Sequence, residues 1–149
     1  MGSTSGEMPR AVNDGKRDEM CENVKVEGVW RLISSKAWDA DGIEIEAPYG
    51  ARPIGTIVFS EGRMLAAISG RTLSGAGANA PEYSSYGGTF ELSDETLRVR
   101  VDVASDKSRI GGEQVREVAF EAGSMILRPP LRKYGERLEQ RALVWQKIA

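Results

Sequence analysis

The amino-acid sequence predicts an all-β protein: a single closed antiparallel up-and-down barrel of about eight to ten strands around a central cavity. From Val24 onward, short segments with apolar residues at alternate positions are separated by turn residues. These segments follow one another at hairpin spacing, without the long crossovers that parallel strands need. Each segment has one apolar face, and closing them into a barrel buries all of these faces together. Residues 1–23 form a polar N-terminal tail, and residues 24–149 form the barrel domain.

The predicted strands can be followed in order along the chain. They cover residues 26–38, 43–50, 54–60, 63–70, 82–94, 96–105, 111–121, 124–130 and 138–149. Glu61-Gly62 is a compact hairpin turn, and Gly87-Gly88 marks a bulge or bend that helps the barrel to close. The loop 71–82 is long and rich in small residues, which predicts that it gates the barrel mouth. Leu97, Val99, Val101 and Val103 are expected on one face of strand 96–105.

Composition narrows the possible functions. The net charge is −2 and the basic residues are scattered, so we expect no nucleic-acid partner. No apolar run reaches membrane-spanning length and no signal sequence is evident, which favours a cytoplasmic protein. A single cysteine, Cys21, agrees with a reducing compartment. Histidine is absent and no nucleotide-binding glycine motif occurs, so we expect neither a metal nor a cofactor.

Two polar residues are expected inside the barrel. In strand 111–121, Val118 and Phe120 share one face, and the alternation places Gln114 and Arg116 on that same face. Burying a guanidinium without a partner is costly, so the interior position of Arg116 requires compensation.

A family resemblance supports the barrel. Gly28-Val29-Trp30 is a G-x-W motif, the first-strand signature of lipocalins. The segments that carry the wider pattern are, in order, GVWRLISSKAWDADG, PYG, IVFSEGRMLAAI, YGGTFEL, GGEQVREVAF and LVWQK. Together they resemble the bacterial lipocalin-like domain family over roughly residues 26–147. The resemblance implies a small antiparallel barrel with a cavity, in a group that includes passive carriers and cofactor-free cyclases.

The sequence departs from the pattern at one place. Many sequences of this kind carry a histidine near the middle of the strand that here spans 96–105, where this chain has Val99 and Arg100. A mechanism that depends on this histidine is therefore in doubt here.

The role of Arg116 has two interpretations. Lipocalin-type barrels often stack an arginine on the G-x-W tryptophan, here Trp30, and a cation over an indole ring is favourable by about 0.5–2 kcal/mol. Alternatively, Arg116 and Gln114 hold a ligand carbonyl, enolate or carboxylate. Arg128 or Arg141 could supply the stacking instead, so both interpretations stay open.

The candidate catalytic residues are Arg116, Gln114 and Tyr86. Trp30, Leu32 and Ser34 are expected to share a face that Lys36 and Trp38 continue. The residues expected to contact the substrate share inward positions or border the mouth: Trp30, Leu32, Ser34, Met64, Ala66, Tyr83, Phe90, Val99, Val101, Val118, Phe120 and Trp145.

Three functional hypotheses follow. The favoured one is a cofactor-independent cyclase, isomerase or lyase that acts on a hydrophobic, carbonyl-bearing small molecule, such as a natural-product intermediate. The alternative is a non-catalytic carrier of a similar ligand. The third is a filled barrel with a role in protein association, and a homodimer is left open.

Overall fold

The computed structural model of the protein describes residues 22–50, 52–70, 83–134 and 137–149. Within these ranges the chain forms ten strands, one short 3₁₀ helix and a helical turn at residues 22–24. The strands are β1 (Gly28–Asp39), β2 (Glu44–Ile45), β3 (Pro53–Ser60), β4 (Arg63–Gly70), β5 (Tyr83–Ser93), β6 (Thr96–Ala104), β7 (Glu113–Glu121), β8 (Ser124–Arg128), β9 (Arg132–Tyr134) and β10 (Arg137–Lys147), and the helix is Lys107–Arg109. No helix in these ranges has the length and apolar character needed to span a bilayer.

Eight strands close into an antiparallel barrel, which confirms the predicted fold. The strand order is β1-β3-β4-β5-β6-β7-β8-β10, and β10 returns to pair with β1 from Trp30↔Lys147 to Asp39↔Glu139. The short strands β2 and β9 extend β1 and β10 outside this closed set. In the part of the chain that the structure describes, every barrel strand therefore has a hydrogen-bonded neighbour on both sides.

Alternating side chains fill the barrel interior. In β3 every second residue from Pro53 to Phe59 is buried and those between are exposed. Phe59 packs edge-to-face on Phe90 at a ring-centroid distance of 4.9 Å. The indole of Trp30, 3% exposed, donates from Nε1 to the carbonyl oxygen of Val26 at 2.8 Å. Burial of such large side chains stabilises the fold by about 1.5–3 kcal/mol each.

A bulge in β1 overturns part of the predicted alternation. The register between β1 and β10 shifts between Leu32 and Ser34. Beyond the shift Ser35 and Ala37 are buried, whereas Lys36 is exposed. The expectation that Ser34 and Lys36 continue the face of Leu32 was therefore wrong, because the extra residue moves every later side chain to the opposite face.

A second bulge lies between β5 and β6. Gly87 pairs with Val103 and Gly88 pairs with Val101, so Asp102 is the extra residue. Val103 consequently lies outside, 49% exposed, which corrects the expectation that it shares the face of Val101. A Cβ atom at Gly88 would lie 1.8 Å from the backbone oxygen of Arg100, so only glycine fits this close approach. The predicted bulge at Gly87-Gly88 is confirmed.

The start of the described chain packs on the barrel. Asn23 accepts a hydrogen bond at Oδ1 from the backbone N–H of Leu92 at 2.7 Å, and Glu22 accepts one from the N–H of Asp94 at 3.0 Å. Val26, which follows, is fully buried. Of the predicted tail, residues 1–21 lie outside the described residues.

Candidate functional site

A cavity of about 280 Å³ lies inside one end of the barrel. Its wall combines inward-facing strand residues with residues from the loops β2–β3, β6–β7 and β8–β9. The lining residues are Pro48, Tyr49, Ile57, Ala66, Ile68, Ser84, Tyr86, Asp106, Arg109, Gln114, Arg116, Leu127, Pro129, Arg132, Arg141, Leu143 and Trp145. The volume is slightly below the range of about 300–1,000 Å³ found for ligand pockets, so the cavity suits a small organic molecule.

The cavity is apolar at depth and cationic near the loops. On β10, Arg141 lies nearest the loop end, and Leu143 and Trp145 follow inward on the same face. We call Leu127, Leu143 and Trp145 the floor residues. We call Arg109, Gln114, Arg116, Arg132 and Arg141 the mouth residues.

Arg116 and Gln114 form one unit on the cavity wall. The side chains stand two residues apart on the inner face of β7, and Arg116 Nη2 donates to Gln114 Oε1. Arg116 Nη1 also donates to the carbonyl oxygen of Val115 at 2.9 Å. These contacts orient the guanidinium. Since it carries five N–H donors, its remaining donors can bind a ligand oxygen.

Arg109 brings a second guanidinium to the cavity. Its Cζ lies 4.3 Å from the ring centroid of Tyr86, which is a cation–π contact, and Nη1 donates to Ser84 Oγ at 3.2 Å. Burial lowers the pKa of Arg109, and the nearby charge of Arg116 acts in the same direction. Both effects disfavour the cation, so an anion bound between these two arginines would be favourable.

Asp106 holds the loop that carries Arg109. Its Oδ1 accepts hydrogen bonds from the backbone N–H of Ser108 at 3.0 Å and from Ser108 Oγ at 2.7 Å, and it caps the helix Lys107–Arg109. These bonds lower the pKa of Asp106, which therefore stays ionised at neutral pH. Asp106 has a structural role here, as well as placing one negative charge on the cavity wall.

Positive charge predominates in the cavity. Four arginines and one carboxylate, Asp106, line it among the described residues. Glu139 adds a second carboxylate behind the wall, because Arg141 Nη2 lies 3.2 Å from Glu139 Oε1. Among the described residues, the wall and Glu139 together provide four arginines and two carboxylates, and Arg132 and Arg141 already have interactions of their own. The arrangement therefore favours a ligand group that carries negative charge or accepts several hydrogen bonds.

The predicted site residues fall into three groups. Five line the cavity: Ala66, Tyr86, Gln114, Arg116 and Trp145. Seven are buried in the barrel core and do not line it: Trp30, Leu32, Met64, Phe90, Val99, Val101 and Val118. Three others also do not line it, namely Tyr83 and Phe120, which are 57% and 45% exposed, and the half-buried Ser34.

The predicted gate, loop 71–82, lies outside the described residues. Ile68 and Ser84 stand near the ends of the two strands that border it, and both line the cavity.

Sequence reasoning missed Tyr49, Asp106, Arg109 and Arg132 as cavity residues, and it considered Arg141 only for stacking. Asp106-x-Ser108 is a recognisable cap signal that could have located the short helix carrying Arg109. Tyr49 lies in the β2–β3 loop with a φ of 68°, and nothing in the alternation of strands predicts its direction.

Comparison with known families matches residues 72–148, slightly more than half of the chain, to the lipocalin-like domain. Searches of curated proteins and of solved structures gave no significant match. A barrel of this kind, with an interior cavity, suggests binding of a small molecule.

Proposed function

The chain belongs to the lipocalin-like domain family, and from this premise we propose that its barrel binds a small hydrophobic molecule through a carboxylate or carbonyl oxygen. The hydrocarbon part of the ligand packs on the floor residues. The oxygen accepts hydrogen bonds from Arg116 and Arg109, with Gln114 and Tyr86 beside them.

The observation that carries this proposal is the pair Arg116 and Arg109, whose guanidinium groups line a cavity that has apolar floor residues. A guanidinium loses hydration when it is buried, and the lowered pKa of Arg109 records that loss. A ligand anion restores the missing interaction. Charge-assisted hydrogen bonds of this kind contribute about 1.5–3 kcal/mol each.

A catalytic role is the second part of the proposal. Arg116 and Gln114 would polarise a ligand carbonyl while the walls hold the molecule in one reactive conformation, as a cofactor-independent cyclase requires. Asp106 is a poor general base, because its hydrogen bonds from Ser108 lower its pKa. Carbonyl polarisation by Arg116 and Gln114 is therefore the catalytic step that we propose for the described cavity residues.

Isothermal titration of octanoate into the wild type, Arg116→Ala and Arg100→Ala tests the binding proposal. Arg100 is an exposed arginine on the outer face of β6 and serves as the matched control. We expect Arg116→Ala to weaken octanoate binding by about 10- to 100-fold and Arg100→Ala to leave it unchanged. Equal affinities for all three proteins would contradict the proposal.

Native mass spectrometry of protein purified from cells, followed by incubation with precursors of any recovered ligand, separates the carrier from the enzyme. A carrier returns its ligand unchanged. A cyclase converts a linear carbonyl-bearing precursor, and the rate falls in Arg116→Ala.

A further inference from the structure

Two polar atoms in the barrel interior have no hydrogen-bond partner among the described residues. They are the indole Nε1 of Trp145, in a residue 1% exposed, and Oγ of Ser35, in a residue 8% exposed. Folded proteins pair the large majority of their buried polar atoms, so an unpaired donor on a cavity wall points to a partner supplied by a ligand.

The other fully buried tryptophan is different. Trp30 is 3% exposed, and its Nε1 donates to the carbonyl oxygen of Val26 at 2.8 Å. The fold thus supplies an acceptor to the indole that packs beside the N-terminal turn. It supplies none to Trp145, which lines the cavity.

Ser35 and Trp145 are neighbours on the inner surface. Ser35 pairs with Leu143, Trp145 follows Leu143 by two residues on the same face of β10, and Leu143 and Trp145 both line the cavity. In antiparallel sheets such diagonal positions lie about 7–8 Å apart. Ser35 does not itself line the cavity, so Trp145 is the member of this pair that stands on the cavity wall.

Trp145 lies at the opposite end of the cavity from the mouth residues. Trp145 lies four positions along the extended strand from Arg141, which gives a Cα–Cα distance of about 13 Å at the usual rise per residue. The long side chains of both residues shorten that gap.

We infer that the ligand carries a second oxygen, a carbonyl or hydroxyl at its buried end, which accepts a hydrogen bond from Trp145 Nε1. This inference rests on the proposed function, because the first oxygen is the one held by Arg116. The substrate class is then a short hydrophobic molecule with an oxygen at each end, such as a keto acid. A simple fatty acid would provide an oxygen for the mouth residues but none for Trp145 Nε1. Such a site discriminates against a ligand that lacks the group it is built to bond.

The test compares octanoate with its keto counterpart, which carries a carbonyl on the carbon next to the terminal methyl. We expect the keto acid to bind the wild type about tenfold more tightly. Trp145→Phe keeps an aromatic ring and removes the indole donor. This variant should therefore bind the keto acid less than about twofold more tightly than octanoate. Trp30→Phe, which removes the paired indole, should leave the preference for the keto acid intact.

A second measurement does not depend on the variants' stability. The chain has three tryptophans, so the indole N–H signals in a ¹H–¹⁵N spectrum can be assigned by single substitutions. Addition of the keto acid should shift the Trp145 signal more than addition of octanoate does.

The outcomes separate this inference from the proposed function. Suppose that octanoate binds through Arg116 but the wild type binds the keto acid no more tightly than octanoate. The second oxygen site is then refuted and the proposed function stands. The same conclusion follows if Trp145→Phe still binds the keto acid about tenfold more tightly than octanoate. If neither acid binds, the proposed function fails. In that case octanone, which has the carbonyl but no carboxylate, is the probe for the second oxygen site. If octanone leaves the Trp145 indole signal unshifted, this site is refuted as well.

Discussion

Replacing Ala66 with leucine should stabilise the protein while weakening ligand binding. Ala66 is 1% exposed and lies on the cavity wall between Ile57 and Tyr86, its cross-strand neighbours. The cavity of about 280 Å³ offers room for the three added carbon atoms. Each buried carbon contributes about 0.8 kcal/mol, and ordering the leucine side chain costs about 0.5–1 kcal/mol. The expected net gain in unfolding free energy is about 1–2 kcal/mol.

Thermal unfolding of the ligand-free protein measures this gain, which corresponds to a rise in Tm of about 2–4 °C for each kcal/mol. Octanoate titration of the same variant should show weaker binding, because the new side chain occupies the ligand's space. Ala37→Leu is the matched control. Ala37 is fully buried and does not line the cavity, so its enlargement should destabilise by about 1–3 kcal/mol. If Ala66→Leu destabilises as much as this control, the barrel is filled and the reasoning fails.

Three further predictions concern the mouth, the bulge and the surface. Arg109→Met should weaken octanoate binding about tenfold, and titration showing wild-type affinity would exclude Arg109 from the ligand site. Gly88→Ala should destabilise by more than about 3 kcal/mol, because its Cβ would lie 1.8 Å from the Arg100 oxygen. Chemical denaturation showing wild-type stability would contradict the bulge. The hydrogen-bonded ion pair with Arg63 lowers the pKa of Asp102. Its stabilisation should thus be complete above about pH 4 and disappear as the pH falls through the lower, folded-state pKa. Because the pair is exposed, the effect should be small and salt-sensitive. The difference in Tm between the wild type and Asp102→Asn should therefore narrow in acid, and a constant difference would contradict this assignment.

The sequence predicts the barrel well because strand alternation and turn residues are local signals. Glu61-Gly62 and the bulge at Gly87-Gly88 were both located from glycine positions. The second half of β1 was predicted wrongly, because the bulge between Leu32 and Ser34 has no glycine to mark it. A single extra residue there reverses inside and outside for the rest of the strand.

The cavity was predicted less completely, since part of its wall does not come from strands. Arg116 and Gln114 follow from the parity of β7. Arg109 comes from a three-residue helix in a turn, and Tyr49 from the β2–β3 loop, so their positions depend on how loops fold over the barrel end. Sequence periodicity also separates inner from outer faces, but not cavity wall from packed core. Val99 is accordingly buried in the barrel core without lining the cavity.

A crystal structure of the protein with bound octanoate tests the central claim most directly, namely that an open lumen places arginines around a ligand oxygen. The account predicts the carboxylate within hydrogen-bonding distance of Arg116, with the hydrocarbon chain against Leu143 and Trp145. A lumen closed by side chains, or octanoate bound only on the outer surface, would contradict it.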